Sequence, residues 1–279
     1  MVAQLPIQPG TTVGAAHIAL PLDPLESRIL LCHATGLTRV QLITQAERPL
    51  TDDEAARLNA LVRRRLDGEP IAYIVGTREF FGLAFQVSDA VLIPRPDTEL
   101  IVELALERLP QQGRLLDMGT GSGAIAVAIA HTRPDAAVTA LDVSAAALAV
   151  AQANADSNSA CVRFLQSDWF AALAPDETFD LIASNPPYIA AGDEHLSQGD
   201  LRFEPSGALT DFADGLSALR IIVDGAQPHL VKGAWLLLEH GYDQADAVRA
   251  LLGKRGYTEV QSWRDLGGIE RVSGGRAPL

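Results

Sequence analysis

The chain has 279 residues, 48% of them hydrophobic and 20% charged, enough for one large domain or two smaller ones with ample core. Its net charge of -13 argues against a broad phosphate-binding surface, because duplex binding relies on many Lys and Arg contacts. Two distant cysteines, Cys32 and Cys161, fit a reducing cytoplasm, and neither a leader-like N-terminus nor an apolar run approaching the ~20 residues of a membrane span is evident.

The first region, residues 1–76, reads as short helices. Asp23 before Pro24 is a cap and first-turn pair, and the apolar positions Leu25, Ile29 and Leu30 run toward a stop at Gly36. Thr51 and Glu54 have the spacing of a capping box and open a helix through Leu58, Leu61, Val62 and Leu66. Arg63, Arg64 and Arg65 are expected on its solvated face. A hairpin about Gly82 and a third extended run ending at Pro94 form a connector over residues 77–96, after which Asp97 is expected to cap a helix.

From Arg114 onward, strands alternate with Ala-rich helices. LLDM, AVTALD, VRFLQ, DLIAS and AWLLLE are the strands, which predicts an α/β domain over residues 97–279 with a mostly parallel sheet covered on both faces. Ligands in such a fold sit beyond the carboxyl ends of the strands. The tail GGRAPL is expected to be loose.

LLDMGTGSGA places Gly119, Gly121 and Gly123 between a strand and a helix, where the chain turns sharply and a ligand can approach the backbone. The same letters satisfy a dinucleotide fingerprint, so the turn alone leaves the nucleotide open. Asp142 ends the next strand, placed to accept ribose hydroxyls or to cap the following helix. Asp117 lies just before the turn, where an anion opposes a pyrophosphate but suits a ligand with an ammonium group. The pattern D-x-G-x-G-x-G resembles motif I of class I S-adenosylmethionine-dependent methyltransferases, which implies a Rossmann-like fold and that methyl donor as cofactor. In that family the position of Asp168 and Trp169 meets the adenine.

SNPPYIA, from Ser184 to Ala190, follows the fourth strand. Pro186 and Pro187 stiffen the exit, and the Asn185 side-chain oxygen with the Pro186 carbonyl can accept both N–H groups of a planar amide or amine. Tyr188 adds a flat face for it. Positioning alone can remove several kcal/mol of barrier, roughly 7 to 11 in favourable models. The catalytic candidates are therefore Asn185, Pro186, Pro187 and Tyr188. The histidines and cysteines show no metal-ligand spacing, so no metal is expected.

N-P-P-Y serves both adenine-N6 and protein glutamine methylation. Over nearly the whole chain, IPRPDTE, NPPYIA, RFEPSGAL, LLLEHGYDQADAV and DLGGIERV resemble the protein-(glutamine-N5) methyltransferases of peptide chain release factors, the HemK/PrmC family. The resemblance implies that Gly119, Thr120, Gly121, Ser122, Gly123, Asp142, Trp169 and Asn185 contact S-adenosylmethionine. It implies that Asn185 to Tyr188 receive the glutamine of the Gly-Gly-Gln loop of class-1 release factors and that the helical N-terminal domain docks that protein. Phe203, Glu204 and Pro205 are expected in a loop over the acceptor pocket, either touching substrate or serving ordinary loop packing. A ribosomal-protein glutamine methyltransferase and an adenine-N6 nucleic-acid methyltransferase are the alternatives. A cytoplasmic monomer acting on a protein, with no direct nucleic acid or membrane partner, is expected.

Overall fold

The computed structural model describes residues 6–279, and the chain divides into one compact unit ending at Gly76 and a second running from Thr77 to Leu279. The first unit holds α1 (Val13–Ala19), α2 (Pro24–Thr35), α3 (Arg39–Thr44), α4 (Asp52–Leu66) and α5 (Ile71–Val75). Polar side chains satisfy the orphan N–H groups at several starts: Asp23 accepts from Leu25 N at 2.8 Å, and capping boxes close at Thr51–Glu54 and Thr38–Gln41. Leu30, Leu31, Leu58 and Val62 are buried together in its core. Of the three arginines of α4, Arg63 is exposed, while Arg64 and Arg65 pair with Glu69 and Glu26 at 2.5 and 2.8 Å.

The second unit opens with the hairpin of β1 (Thr77–Phe80) and β2 (Leu83–Gln86). Phe81 and Gly82 have φ of 52° and 76°, the left-handed pair that a two-residue turn needs to match the twist of its strands. One expectation fails in the segment that follows. Val91–Pro94 forms neither helix nor strand and serves as the connector, but Asp97 makes no capping bond; it lies in a short 3-10 turn, Pro96–Thr98, before α6 (Glu99–Arg108). The Asp97 carboxylate instead faces Arg271, with Nε 3.7 Å from Oδ2. Hairpin and connector both belong to the second unit.

The main sheet comprises β3 (Arg114–Met118), β4 (Ala137–Asp142), β5 (Val162–Gln166), β6 (Phe179–Ser184), β7 (Leu230–Glu239), β8 (Thr258–Arg264) and β9 (Glu270–Arg276), in the order β5-β4-β3-β6-β7-β9-β8. All neighbours are parallel except β9, which runs antiparallel to β7 and β8. The helices are α7 (Ala124–Thr132), α8 (Ala145–Ser157), α9 (Ser206–Leu209), α10 (Ser217–Gly225) and α11 (Ala245–Lys254). Residues of α6 and α7 share one apolar cluster with the sheet and those of α10 and α11 the other, so the sheet is covered on both faces.

The tail is not loose. Gly274, Gly275 and Arg276 lie in β9, and a Cβ on Gly274 would come within 2.5 Å of the Leu236 carbonyl oxygen. Glycine there permits close approach of β9 to β7, while depriving the sequence of the branched side chains that announce a strand. The strand order reverses between β3 and β6, which opens a crevice at their carboxyl ends. Met118 sits opposite Ser184, and the Ser184 hydroxyl donates to the Met118 carbonyl at 2.6 Å. Both strand exits, one carrying the glycine turn and the other the N-P-P-Y stretch, are thereby pinned together.

Candidate active site

A cavity of about 290 Å³ lies at this crevice. Its wall includes Gly119 to Ser122 of the glycine turn, Asp142, Asp168, Trp169, Asn185 and Pro187, together with Arg95, Thr98 and Pro205. The N–H groups of Gly119 and Thr120 both donate to the Leu141 carbonyl at 2.9 Å, which bends the chain away from β3. The three glycines are all left-handed, with φ of 72°, 55° and 83°, yet they serve different ends. A Cβ on Gly119 or Gly121 would meet nothing within 4 Å and both border the cavity, whereas one on Gly123 would lie 3.1 Å from Ala151 Cβ in α8.

Asp142 borders the cavity but does not cap α8, whose cap is Ser144, with its hydroxyl accepting from Ala147 N at 3.2 Å. Asp142 Oδ2 accepts from Gly121 N and Oδ1 from Ser144 N, each at 2.9 Å, so it braces turn and helix entry while bordering the cavity. A carboxylate oxygen has further lone-pair capacity for a ribose hydroxyl. Trp169, with φ of 50°, is half-buried against the cavity, and its carbonyl accepts from the Ser167 hydroxyl at 2.7 Å.

Asp117 is placed otherwise than expected. It is fully buried and does not border the cavity; Thr120 Oγ1 donates to its Oδ2 at 2.6 Å and Ala126 N at 3.2 Å. Burial pushes its acid up to about 7 against those two bonds. Its Oδ1 has no hydrogen-bond partner. The carboxyl therefore fastens the glycine turn to the start of α7, from behind the wall that the ligand would meet.

In the N-P-P-Y stretch, Asn185 and Pro187 border the cavity, while Pro186 is buried. Asn185 Nδ2 donates to Thr98 Oγ1 at 3.2 Å, which leaves its Oδ1 for another donor. Tyr188 turns from the cavity: its hydroxyl lies 3.4 Å from Glu239 Oε1, and its carbonyl accepts from Gln244 Nε2 at 2.9 Å. Burial, with Glu239 alongside, raises the phenol well above its usual pKa. The ring is thus part of the support of the corner.

Side chains of the P-R-P-D-T-E run reach separate elements. Arg95 pairs with buried Glu204, whose Oε2 accepts from Ile93 N at 3.0 Å; Glu99 Oε1 accepts from Phe81 N at 2.9 Å. Glu204 therefore anchors the connector, and Pro205 is the part of its loop that borders the cavity. Sequence reasoning missed Thr98 and also Asn154, a fully buried amide of α8 that donates to the carbonyls of Ser122 at 2.8 Å and Gln86 at 3.0 Å. The signal for Asn154 was present, since it falls on the buried face marked by Ala147, Ala151 and Ala155. Among the described residues no cluster of His, Cys, Asp or Glu is arranged to hold a metal ion, and no helix is long and apolar enough to cross a membrane.

The donor set suits a nucleoside carrying positive charge. The cavity wall has two carboxylates, Asp142 and Asp168, against the single cation Arg95, which is itself paired with Glu204. A pyrophosphate would find little countercharge there, while backbone exposed at Gly119 and Gly121 admits a ligand closely.

Residues 97–204 match the family described as methyltransferase small domain, and residues 16–76 match the PrmC N-terminal domain. A release factor glutamine methyltransferase of Burkholderia pseudomallei is 56% identical over 93% of this chain and 94% of its own length. That of Escherichia coli is 49% identical over 90% of this chain and 91% of its own. Among solved structures, a methyltransferase from Pyrococcus furiosus superposes with a TM-score of 0.55 at 21% identity, covering 78% of this chain and 98% of that one, a likeness of fold.

Proposed function

The chain belongs to the release factor glutamine methyltransferase family, and from that premise we propose how its own residues carry out methylation of a release factor. The enzyme transfers a methyl group from S-adenosylmethionine to a glutamine side-chain nitrogen of the release factor. When bound, S-adenosylmethionine supplies a methyl group on a cationic sulfur, activated toward a nucleophile.

Gly119 to Ser122 offer open backbone to the donor, Asp142 accepts from its ribose hydroxyls, and Trp169 covers the face of its adenine. Asp117 acts one layer behind, holding Thr120 and so the shape of the turn. On the acceptor side, Asn185 Oδ1 and the Pro186 carbonyl each take one N–H of the glutamine carboxamide. That fixes a nitrogen whose lone pair is delocalised, and the rate enhancement comes from this positioning. No strong base is required, because the proton can leave after the nitrogen has become positively charged.

The acceptor is the glutamine of the Gly-Gly-Gln loop of class-1 release factors, and the enzyme works in the cytoplasm, in keeping with its free Cys32 and Cys161. The net charge of -13 favours a protein over a nucleic acid as acceptor. The observation that carries the reading is the Asn185 amide, which borders the cavity and gives Nδ2 to Thr98, with Oδ1 left for the substrate. The test supplies labelled donor with a release factor, ribosomal proteins, RNA and DNA in parallel. Label is expected on the release factor alone and should vanish when its loop glutamine is replaced by alanine; label on another acceptor would overturn the assignment.

A further inference from the structure

Gln244 precedes α11 and does not border the cavity, yet both ends of its side-chain amide are engaged. Oε1 accepts from Gly241 N at 2.9 Å, while Nε2 donates to the Tyr188 carbonyl at 2.9 Å and to the Gly215 carbonyl at 3.2 Å. One amide thus joins three stretches of chain: the turn that leaves β7, the exit of the N-P-P-Y corner 56 residues earlier, and a turn 29 residues earlier. Gly215 testifies to the same junction from the other side. It is buried with φ of 79°, and a Cβ there would lie 2.5 Å from the Tyr188 carbonyl oxygen and 2.9 Å from Gln244 Nε2. Asp211 holds that turn in place, its Oδ1 accepting from Gly215 N at 3.0 Å and its Oδ2 from Ser217 N at 2.7 Å.

A side-chain amide carries two N–H donors at one end and an acceptor at the other. Here two carbonyls face one end and an N–H faces the other, so the network permits a single orientation. The corner needs such an outside donor. Pro186 and Pro187 have no N–H, so the backbone there cannot be fixed by bonds that it donates, and the Tyr188 carbonyl is the first acceptor beyond them. Past Tyr188, Ile189 N donates to the Leu209 carbonyl and Ala191 N to the Ala213 carbonyl, each at 3.0 Å. The exit of the corner therefore runs beside the loop of residues 204–215, whose Pro205, Gly207 and Ala208 border the cavity. Glu204 fixes the start of that loop to the connector through Ile93 N and Arg95. Gln244 fixes its end to the corner.

We propose that Gln244 is a positioning residue for methyl transfer: its amide clamps the Tyr188 carbonyl to the Gly215 carbonyl and thereby sets the Asn185 and Pro186 oxygens against the loop that borders the cavity. This rests on the reading that those two oxygens hold the substrate nitrogen. Gln244 acts through Tyr188 and touches neither donor nor acceptor.

The test uses the full chain, a release factor and labelled donor. Gln244→Leu keeps the bulk and removes all three bonds, and it should lower kcat by about 100-fold, the scale of a misplaced reacting group. Donor affinity by calorimetry should stay near that of the parent. Gln244→Glu keeps the shape but sets a carboxylate against two carbonyls, so above neutral pH it should be at least as slow. As pH falls, that carboxyl takes up a proton and can again donate to one carbonyl. Turnover relative to the parent at the same pH should then rise about 10-fold, the upper worth of one hydrogen bond, while the ratio for Gln244→Leu stays flat. A packing role gives no such contrast between the two variants. Gly215→Ala, which presses on the Tyr188 carbonyl from the other side, should lower kcat in the same sense and spare donor affinity. Parental turnover in Gln244→Leu, a flat ratio for Gln244→Glu, or donor affinity falling as far as kcat would overturn the clamp. Should Gln244→Glu fail to fold, Gln244→Leu and Gly215→Ala decide by the split between kcat and donor affinity. Asn185→Ala run alongside separates the two levels: full activity there defeats the function of the corner, whereas an inactive Asn185→Ala beside an active Gln244→Leu defeats only the clamp.

Discussion

The glycine turn and the N-P-P-Y corner leave the sheet side by side, yet they are held in opposite ways. The turn is fastened from nearby in the chain: Asp117 takes Thr120 three residues on and Ala126 nine residues on. The corner is fastened from afar, with Thr98 87 residues before Asn185, and Glu239 and Gln244 lying 51 and 56 residues after Tyr188. Closing a short loop loses less chain entropy than closing a long one. The donor side can therefore take shape from consecutive elements, since Asp142 and Asn154 also hold the turn from only 21 and 32 residues away, whereas the acceptor side exists only when connector, β6 and β7 are docked.

The sharpest separation of the two sides should come from Asn185→Ala. Turnover is expected to fall about 1000-fold, as when a positioned polar group is lost from an active site, while donor binding by calorimetry stays near that of the parent. Equal losses in both would mean that corner and turn act as one site.

Each side also hides a carboxyl raised to about 7, Asp117 behind the turn and Glu239 beneath the corner. The folded pKa lies above the unfolded one, near 4, so between those values the folded form holds a proton that the unfolded form has released. Stability from these groups is thus fully present at low pH and is lost as pH rises toward 7, by up to about 4 kcal/mol per group if nothing relaxes. Urea unfolding across that window should show the decline, and Asp117→Asn should flatten it. Carboxyls lowered by arginine partners, such as Asp214 at about 2, act with opposite sign below the window. A stability that climbs from pH 4 to 7 would contradict the burial of both acids.

Glu204→Ala strikes only the distant supports of the acceptor side. It strands the Ile93 N–H and unpairs Arg95, whose side chain is 34% exposed and so partly served by water. A loss of about 2 kcal/mol is expected, below the range for a fully buried pair, and urea titration measures it. The smallest effects are expected within the turn itself, where Gly121→Ala and Gly123→Ala should each cost about 1 to 2 kcal/mol but beyond that strain show it differently. Gly121 should weaken donor binding, because its Cβ would enter the cavity. Gly123 should lower the melting temperature, because its Cβ would press on Ala151 at 3.1 Å. Indistinguishable profiles would erase the division of labour among the glycines.

The alternating strands, the hairpin at Gly82, the caps at Asp23 and Thr51 and the cavity-bordering positions at Gly119, Asp142, Trp169 and Asn185 were legible in the sequence. Each depends on residues close together in the chain, through periodicity, capping or a turn. β9 was not legible, because Gly274 and Gly275 lack strand-forming side chains; glycine is required there by neighbours distant in sequence, the Leu236 carbonyl at Gly274 and Tyr257 and Val260 at Gly275. Asp97 looked like a cap by its place before a helix, but Arg271 drew its carboxylate elsewhere.

By itself the sequence determined the order of elements and the chemistry available at each strand end, because short-range sterics and hydrogen bonding fix these. Only the tertiary structure decided that Asp117 lies behind the wall, that Tyr188 faces Glu239, and that Asn185 meets Thr98. Those outcomes depend on which distant groups share a buried, poorly solvated space, where an unpaired polar atom is costly and partners are set by packing.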